Sequence, residues 1–375
     1  MKSQPESKKR AKDCGEEKRP EKTASLNGLP TSRKASEYPP VLHKMLRRHD
    51  GRLDLSELKD ILVRDDRKDD ASKELDNIFY NSVEENARSV VMIVRDYSVL
   101  EVCHTDFEPD PDHVYIRSAP LKHRMPEEGL RMSPRSPYIN QPSAFMEGTG
   151  FFIGEGIIAT AAHVFETTYL KRLSQYRFIR GVVFDNDNVR ENYIRVHKSQ
   201  VYRAQTDTIP RSQYGYANDG PDWAILKVAP AYKEQGSFPL FQFFRNYHIA
   251  KLGQRDPFAI LPKDDTSPHE RVYTIGHGLG LPMKVSLDGL ILKTDYSKGY
   301  YETTLTSLKG NSGSPVFYMD THELAGIYIR GTNRFQRIIH PIPCLEIVND
   351  PMSFDYEGQE CQILQPIRKA LTFLK

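Results

Sequence analysis

The feature that most constrains this chain is a serine enclosed by glycines just before an apolar strand, in the stretch Lys309-Gly310-Asn311-Ser312-Gly313-Ser314-Pro315-Val316. Glycine on both sides lets the backbone turn sharply and lets another molecule come close. Such a turn can direct the N–H groups of Gly310 and Ser312 to one point beside the Ser312 hydroxyl. Two donors beside a nucleophile form an oxyanion hole, the arrangement that acyl transfer requires. Because serine alone is inert at neutral pH, this interpretation requires a histidine and a carboxylate elsewhere.

Both groups are present upstream. His163 ends the block Gly-Thr-Gly-Phe-Phe-Ile-Gly-Glu-Gly-Ile-Ile-Ala-Thr-Ala-Ala-His, which reads as two short strands joined by a Gly-Glu-Gly turn. Asp222 opens the apolar strand Trp223–Val228. Asp219, three residues earlier, is an alternative carboxylate. We prefer Asp222 because the apolar strand begins directly after it, which fixes where its side chain lies.

Each of these three residues has an expected role in acyl transfer. Ser312 attacks a carbonyl carbon, His163 takes its proton and later gives it to the leaving amine, and Asp222 holds the imidazole in the correct tautomer. The order His, Asp, Ser excludes an α/β-hydrolase, which needs G-x-S-x-G and the order Ser, Asp, His. Each residue alone has an ordinary structural explanation: a partly buried histidine, a strand cap, a turn residue. Their combination favours catalysis.

The three blocks together resemble the trypsin-like serine peptidases of the chymotrypsin fold. The resemblance is closest to the bacterial-type and glutamyl-endopeptidase-like branch, which also carries a segment like Ile275–Pro282. It covers roughly residues 88–375. It implies an all-β fold of two six-stranded antiparallel β-barrels with a closing C-terminal helix. It also implies a serine endopeptidase that hydrolyses protein or peptide substrates through an acyl-enzyme.

The resemblance further implies where the substrate pocket lies. Thr306 and Ser307 would line it, and the strand carrying Tyr328, Arg330 and Gly331 would form the other wall. No aspartate stands at the pocket floor, so a preference for Arg or Lys is not supported. Tyr328 stands where glutamyl endopeptidases have a histidine, which weakens the expectation of a glutamate preference. We expect a polar, uncharged pocket narrowed by Tyr328, with Arg330 facing either an acidic substrate residue or solvent, and with room at Gly331 for the substrate backbone.

Two other positions bear on the site. Asn311 precedes the nucleophile where many trypsin-like enzymes have an aspartate that pairs with a new N-terminal amine. We therefore expect no activation of that kind. His277 lies in a glycine-rich turn before Pro282, and we interpret it as structural.

Composition limits the other classes of function. The 375 residues carry 52 Lys and Arg against 50 Asp and Glu, so the overall charge gives no support for a nucleic-acid partner. No apolar run is long enough to span a membrane, and residues 1–35 lack the apolar core of a signal peptide. Four scattered cysteines favour a reducing, intracellular compartment; only Cys344 and Cys361 are close enough in sequence to suggest a bridge. The Cys and His residues show no metal-ligand spacing, so neither a metal nor an organic cofactor is expected. The oligomeric state is left open.

The predicted organisation has three parts. Residues 1–37 form a polar, disordered tail with a basic cluster of nuclear-import type at Lys8–Lys12, a pattern also common in solvated tails. Residues 38–87 form a helical extension, in which Asp54 and Glu57 make a capping box for a helix over Leu55–Leu62. Residues 88–375 form the peptidase domain, with barrel one at about 88–230, barrel two at about 240–360 and the closing helix at about 362–374. The proline-rich, charged segment 107–143 is predicted to be a surface loop.

Two rival functions remain. The first is a catalytically inactive module that uses the same cleft to hold peptides as a binding scaffold. The second is a nucleic-acid-associated factor recruited by the basic tail, whose binding would fall steeply with salt.

Overall fold

The computed structural model describes most of the chain after residue 51. The described residues are 52–63, 70–101, 110–124, 130–165, 172–185, 188–190, 192–217, 220–232, 248–253, 270–331, 335–338, 344–347, 358–372 and 374. The predicted tail with its basic cluster lies outside them, as does Asp219.

The described part is mainly β-structure. Its helices are α1 (Leu55–Leu62), α2 (Asp70–Ala87) and α3 (Gln365–Leu371). The first strands are β1 (Arg52–Leu53), β2 (Val90–Arg95), β3 (Val99–Leu100), β4 (His113–Pro120), β5 (Pro142–Ala144), β6 (Met146–Gly154), β7 (Ile157–Thr160), β8 (Tyr176–Arg180), β9 (Val189–Arg190), β10 (Tyr193–His197), β11 (Val201–Ala204), β12 (Tyr214–Tyr216) and β13 (Asp222–Pro230). The later strands are β14 (Arg271–Gly276), β15 (Lys284–Asp295), β16 (Tyr300–Thr303), β17 (Pro315–Tyr318), β18 (Leu324–Arg330), β19 (Phe335–Ile338), β20 (Cys344–Ile347) and β21 (Gln359–Ile363). None of the described helices is long and apolar enough to cross a membrane.

Two closed antiparallel barrels of six strands form the centre of the fold. The first runs β11-β8-β2-β6-β7-β13 and closes through a second pairing of β11 with β13. The other runs β15-β14-β17-β18-β21-β16 and closes between β15 and β16. Buried apolar side chains fill both interiors, among them Phe152 and Phe178 in the first and Val316 and Tyr318 in the second. The predicted fold class is confirmed.

A small sheet covers the outside of barrel one, where the sequence predicted a surface loop. Strands β3, β4, β10 and β9 pair in that order, and β5 joins β4. Most of β4 and β5 falls within segment 107–143, so the loop prediction was wrong there. The physical reason is that β2 has apolar residues on both faces, and all of them are buried. Val91 and Ile93 face the barrel interior, whereas Met92 and Val94 pack against Val114 and Ile116 of β4 and their neighbours.

The predicted N-terminal helices are confirmed, and the described residues 52–63 and 70–87 share a core with the barrels, while residues 38–51 of the predicted extension lie outside the described residues. Asp54 caps α1, and its backbone N–H donates to the Glu57 carboxylate at 2.8 Å, as the capping box predicted. Leu58 and Leu62 of α1 are buried one turn apart, in the same apolar cluster as Tyr273 and Val285 of barrel two. Strand β1 pairs with β15, which extends the sheet of barrel two.

The C-terminal end differs in detail from the prediction. The chain remains a strand through β21 and only then forms α3, whose Ile367 and Ala370 are buried. Cys361 lies in β21, pairs across to Tyr328 of β18, and is a free thiol, as is Cys344. The candidate bridge between these two cysteines is therefore not formed.

Candidate active site

His163 and Asp222 meet at the mouth of barrel one. His163 lies in a single helical turn (Ala162–Val164) directly after β7, and Asp222 is the first residue of β13, which pairs with β7. The His163 Nδ1 atom is 2.5 Å from Asp222 Oδ2, and the His163 backbone N–H donates to Oδ1 at 3.1 Å. Because an ionised carboxylate only accepts hydrogen bonds, Nδ1 carries the proton and Nε2 is left with a lone pair.

The second barrel helps to hold this carboxylate. Asp222 is only 3% exposed, and its backbone N–H donates to the Gln362 side-chain oxygen at 2.9 Å. Gln362 lies in β21, so a side chain of barrel two fixes the position of a residue of barrel one. The His163 side chain keeps 35% of its surface exposed. The pair therefore combines a buried acid with an accessible imidazole.

Ser312 lies in the loop before β17, against the strands that lead to His163. Its backbone carbonyl accepts the Thr149 N–H of β6 at 2.8 Å, and the next N–H, of Gly313, donates to the Tyr328 carbonyl at 2.8 Å. Gly313 has φ of +87°, and a Cβ there would lie 2.1 Å from the Thr160 hydroxyl. Only glycine fits this close approach, which brings the serine loop beside the turn that carries His163.

The turn before the nucleophile leaves two donors unpaired. Residues 308–311 form a type II turn, with Asn311 N–H donating to the Leu308 carbonyl at 2.9 Å and Gly310 in the third position at φ +101°. Among the described residues, no acceptor takes the N–H of Gly310 or of Ser312, and none bonds the half-exposed Ser312 hydroxyl. Both residues are partly exposed, so these two N–H groups are open to an incoming acceptor.

The His277 segment supports this turn from behind. Leu279 N–H donates to the Lys309 carbonyl at 2.6 Å. Thr149 receives the His277 N–H at 3.2 Å, and its own hydroxyl donates to the Gly310 carbonyl at 2.8 Å. His277 itself is fully buried, in the structural position that the sequence predicted.

Among the predicted pocket residues, Tyr328 lies beside Gly331, since its hydroxyl would be 2.8 Å from a Cβ placed on that glycine. Thr306 and Ser307 are each 1% exposed, Tyr328 is buried, and Gly331 is exposed at the end of the β18 wall. Gln359, which the sequence did not single out, also belongs here. It accepts the Tyr328 hydroxyl at 2.6 Å, and its Oε1 atom would lie 2.0 Å from a Cβ placed on Gly331. No local pattern could have revealed Gln359, because it reaches the pocket through strand pairing.

The Arg330 side chain contacts other groups of the fold. Its guanidinium binds the Glu360 carboxylate and donates to the Gly220 carbonyl at 3.0 Å. The Arg330 side chain remains 31% exposed beside this ion pair, and its place in the substrate pocket stays a prediction. In the part of the chain that the structure describes, no three His, Cys, Asp or Glu side chains are grouped so that they could hold a metal ion.

A two-barrel fold with a buried aspartate on a histidine and a nearby glycine-flanked serine defines the trypsin-like class of peptidase domain. Comparison with known families agrees, since residues 148–327 match the trypsin-like peptidase domain. The matched segment contains His163, Asp222 and Ser312. Residues 148–327 are therefore similar to a trypsin-like peptidase domain.

Other comparisons add little. No curated protein matches the chain. Among solved structures, the chain is similar to the serine endoprotease from Yersinia pestis, with 16% identity and a TM-score of 0.33. That match covers 72% of this chain and 61% of the other. The chain thus spans less than two thirds of that relative, and the likeness carries no further argument.

Proposed function

We propose that this protein is a serine endopeptidase that hydrolyses peptide bonds through an acyl-enzyme, with His163, Asp222 and Ser312 as its catalytic residues. The observation that carries the proposal is the 2.5 Å contact between His163 Nδ1 and the buried Asp222 carboxylate, beside the glycine-flanked serine loop. This contact engages Nδ1 of His163 and leaves Nε2 as the basic nitrogen on the accessible side of the imidazole ring.

The chemistry follows from these positions. His163 Nε2 accepts the Ser312 hydroxyl proton as Oγ attacks the substrate carbonyl carbon, and Asp222 stabilises the imidazolium that forms. The Gly310 and Ser312 N–H groups donate to the oxyanion, for which their lack of other partners suits them. The imidazolium then protonates the leaving amine. A water molecule, activated by the same imidazole, releases the acyl group and restores Ser312.

The pocket supports an uncharged residue on the acyl side of the cleaved bond. Thr306, Ser307, Tyr328 and Gln359 bring hydroxyl and amide groups there, and the nearby Arg330 is already paired with Glu360. A charged substrate side chain would lose water without gaining an opposite charge. We therefore propose that neutral residues are preferred over Lys, Arg or Glu.

The first test is a peptide-library cleavage profile of the full-length protein beside Ser312→Ala and Ser314→Ala. We expect Ser312→Ala to lose at least about a thousandfold in kcat/KM, because it removes the nucleophile. Ser314→Ala is the matched control. Its hydroxyl lies in the same loop, is buried and finds no partner among the described residues, so cleavage should persist.

Labelling with a fluorophosphonate separates the proposal from the inactive peptide-binding scaffold. An activated Ser312 reacts, and Ser312→Ala does not. Peptide binding without labelling or cleavage would favour the scaffold, for which the free Ser312 hydroxyl is the supporting observation.

A further inference from the structure

A second cleft borders the Gly310 turn. It encloses about 420 Å³. Its walls come from the small outer sheet, from the start of β6 and from two backbone turns. The lining residues include Arg124, Phe145, Glu147, Gly280, Lys309 and Gly310. The cleft includes none of the residues 306, 307, 328 and 331.

Its position relative to the nucleophile suggests what occupies it. Gly310 lines the cleft and lies two residues before Ser312. On one side of Ser312, Gly313 bonds the Tyr328 carbonyl of the β18 wall, where we place the acyl part of a substrate. The cleft lies along the start of β6, the strand whose Thr149 N–H donates to the Ser312 carbonyl. A peptide that crosses Ser312 would therefore place the residues after the cleaved bond in this cleft.

Contacts within the fold hold the lining residues of the cleft in place. Arg124 follows a helical turn (Leu121–His123), and its N–H donates to the Leu121 carbonyl at 2.9 Å. Its guanidinium carbon lies 4.1 Å from the centre of the Phe145 ring, a cation–π contact. Opposite, Gly280 packs so tightly on β5 that a Cβ would lie 2.2 Å from the Ala144 carbonyl oxygen. The cleft is thus preformed.

The charges in the cleft favour an anion. Arg124 and Lys309 bring two cationic groups, and His123 adds an imidazole. Of the charged lining side chains, only Glu147 is acidic, and Arg95 Nε binds its carboxylate at 2.9 Å. Within the described residues, no carboxylate pairs with the half-buried Arg124. A planar guanidinium fixed on an aromatic ring is well suited to receive a carboxylate.

We propose that this cleft binds a carboxylate of the substrate on the leaving-group side of the cleaved bond, with Arg124 as the principal contact. The inference rests on the proposed peptidase function. Two sources have the same chemistry: an Asp or Glu side chain within the first residues after the cleaved bond, and the free C-terminal carboxylate of a short substrate.

The test uses three quenched fluorescent peptides that are identical up to the cleaved bond. The first has Glu at the second following position and an amidated end. The next has Gln there and an amidated end, and the last has Gln there and ends in a free carboxylate. We expect the full-length protein to cleave the Glu peptide with about fivefold higher kcat/KM than the amidated Gln peptide, a typical gain for a partly buried charge pair. If the Gln peptide with the free carboxylate is favoured instead, the chain terminus is the source.

Variants connect this preference to the cleft. Arg124→Gln should bring the ratio of Glu to Gln cleavage close to one, and Arg124→Lys should retain part of it. Lys122→Gln is the matched control, because Lys122 is an exposed cation of the same turn that does not line the cleft. Equal cleavage of all three peptides by the unaltered protein, or a preference that Arg124→Gln leaves unchanged, would overturn the proposal.

A binding measurement separates this inference from the proposed function. Fluorescence anisotropy with labelled, amidated Glu and Gln peptides on full-length Ser312→Ala needs no catalysis. Tighter binding of the Glu peptide, abolished by adding Arg124→Gln, would support the cleft even if labelling and cleavage both failed. Equal binding of the amidated Glu peptide, the amidated Gln peptide and the Gln peptide with a free carboxylate would reject the cleft proposal even if cleavage were established.

Discussion

At the scale of single residues, His277 shows how burial sets a protonation state behind the catalytic loop. Its Nδ1–H donates to the Leu281 carbonyl at 3.2 Å, and Nε2 has no partner among the described residues. Burial lowers the pKa of His277 from 6.5 to about 4, with the nearby Lys284 charge acting in the same direction. Burial likewise lowers the pKa of His322 to about 4. Both side chains are therefore neutral at pH 7.

This predicts a loss of stability on acidification. Between pH 6.5 and about 4 the unfolded chain binds protons at these histidines that the folded chain does not. Their contribution is therefore fully present above pH 6.5 and is lost as the pH falls towards 4. We expect His277→Asn, which keeps a donor for Leu281, to lose about 2 kcal/mol less than the unaltered protein between pH 7 and pH 5.

Urea denaturation at the two pH values measures this difference. A double variant that adds His322→Asn should show a still smaller dependence on pH. If the unaltered protein and His277→Asn lost the same free energy of unfolding, His277 would not be the buried neutral group described here.

At the scale of elements, a buried ion pair joins the N-terminal extension to barrel two. The Lys284 ammonium binds the Asp54 carboxylate and donates to the Gln141 side chain at 2.7 Å and the Pro282 carbonyl at 3.1 Å. Burial lowers the pKa of Lys284 to about 8, and Asp54 opposes that shift, so the ammonium stays charged at pH 7. Lys284 follows directly on the turn whose Leu279 holds the Lys309 carbonyl. The extension is thereby linked to the loop that carries Ser312.

We expect Lys284→Met to cost about 3 to 5 kcal/mol of unfolding free energy, because it leaves the Asp54 carboxylate buried without its cation. Adding Asp54→Asn should recover much of this loss, since asparagine removes the charge and still caps α1. A double-mutant cycle by urea denaturation gives the coupling energy. Simple additivity of the two single variants would contradict a coupled buried pair.

At the scale of the whole molecule, the extension and the barrels share one core. Leu53, Leu58 and Leu62 pack in the same cluster as Tyr273 and Val285 of barrel two. Burying three leucines contributes on the order of 5 kcal/mol or more, and the stability of a whole domain is typically about 5 to 15 kcal/mol. The described part of the helical extension is thus a structural part of the same fold as barrel two.

A comparison of two shortened chains tests this. A chain of residues 38–375 should keep nearly the thermal stability of the full protein, because it retains all of these contacts. A chain of residues 88–375 should melt far lower or fail to fold, and it should show no gain in specific activity. Differential scanning fluorimetry and fluorophosphonate labelling read both properties. Equal melting temperatures, or activation of the shorter chain, would contradict this view of the extension.

The sequence by itself determined the features that depend on local rules. A type II turn needs glycine at its third position, so Gly310 was predictable, and a capped helix shows itself in Asp54 and Glu57. The resemblance carried by the three blocks implied the two barrels and put forward His163, Asp222 and Ser312. The structure pairs His163 with Asp222 and places the Ser312 loop against the end of β7, while the catalytic roles stay predictions.

Only the tertiary structure decided which distant groups meet. Through the pairing of β21, Gln359 contacts Tyr328 of the predicted pocket and Gln362 contacts Asp222. Glu360 of the same strand forms an ion pair with Arg330. The sequence did not indicate the outer sheet with β4 and β5, because most of these two strands lies in a segment rich in prolines and charges. The physical reason is the same in each case. Strand pairing and buried charge pairs join residues far apart in sequence, and no spacing along the chain encodes their partners.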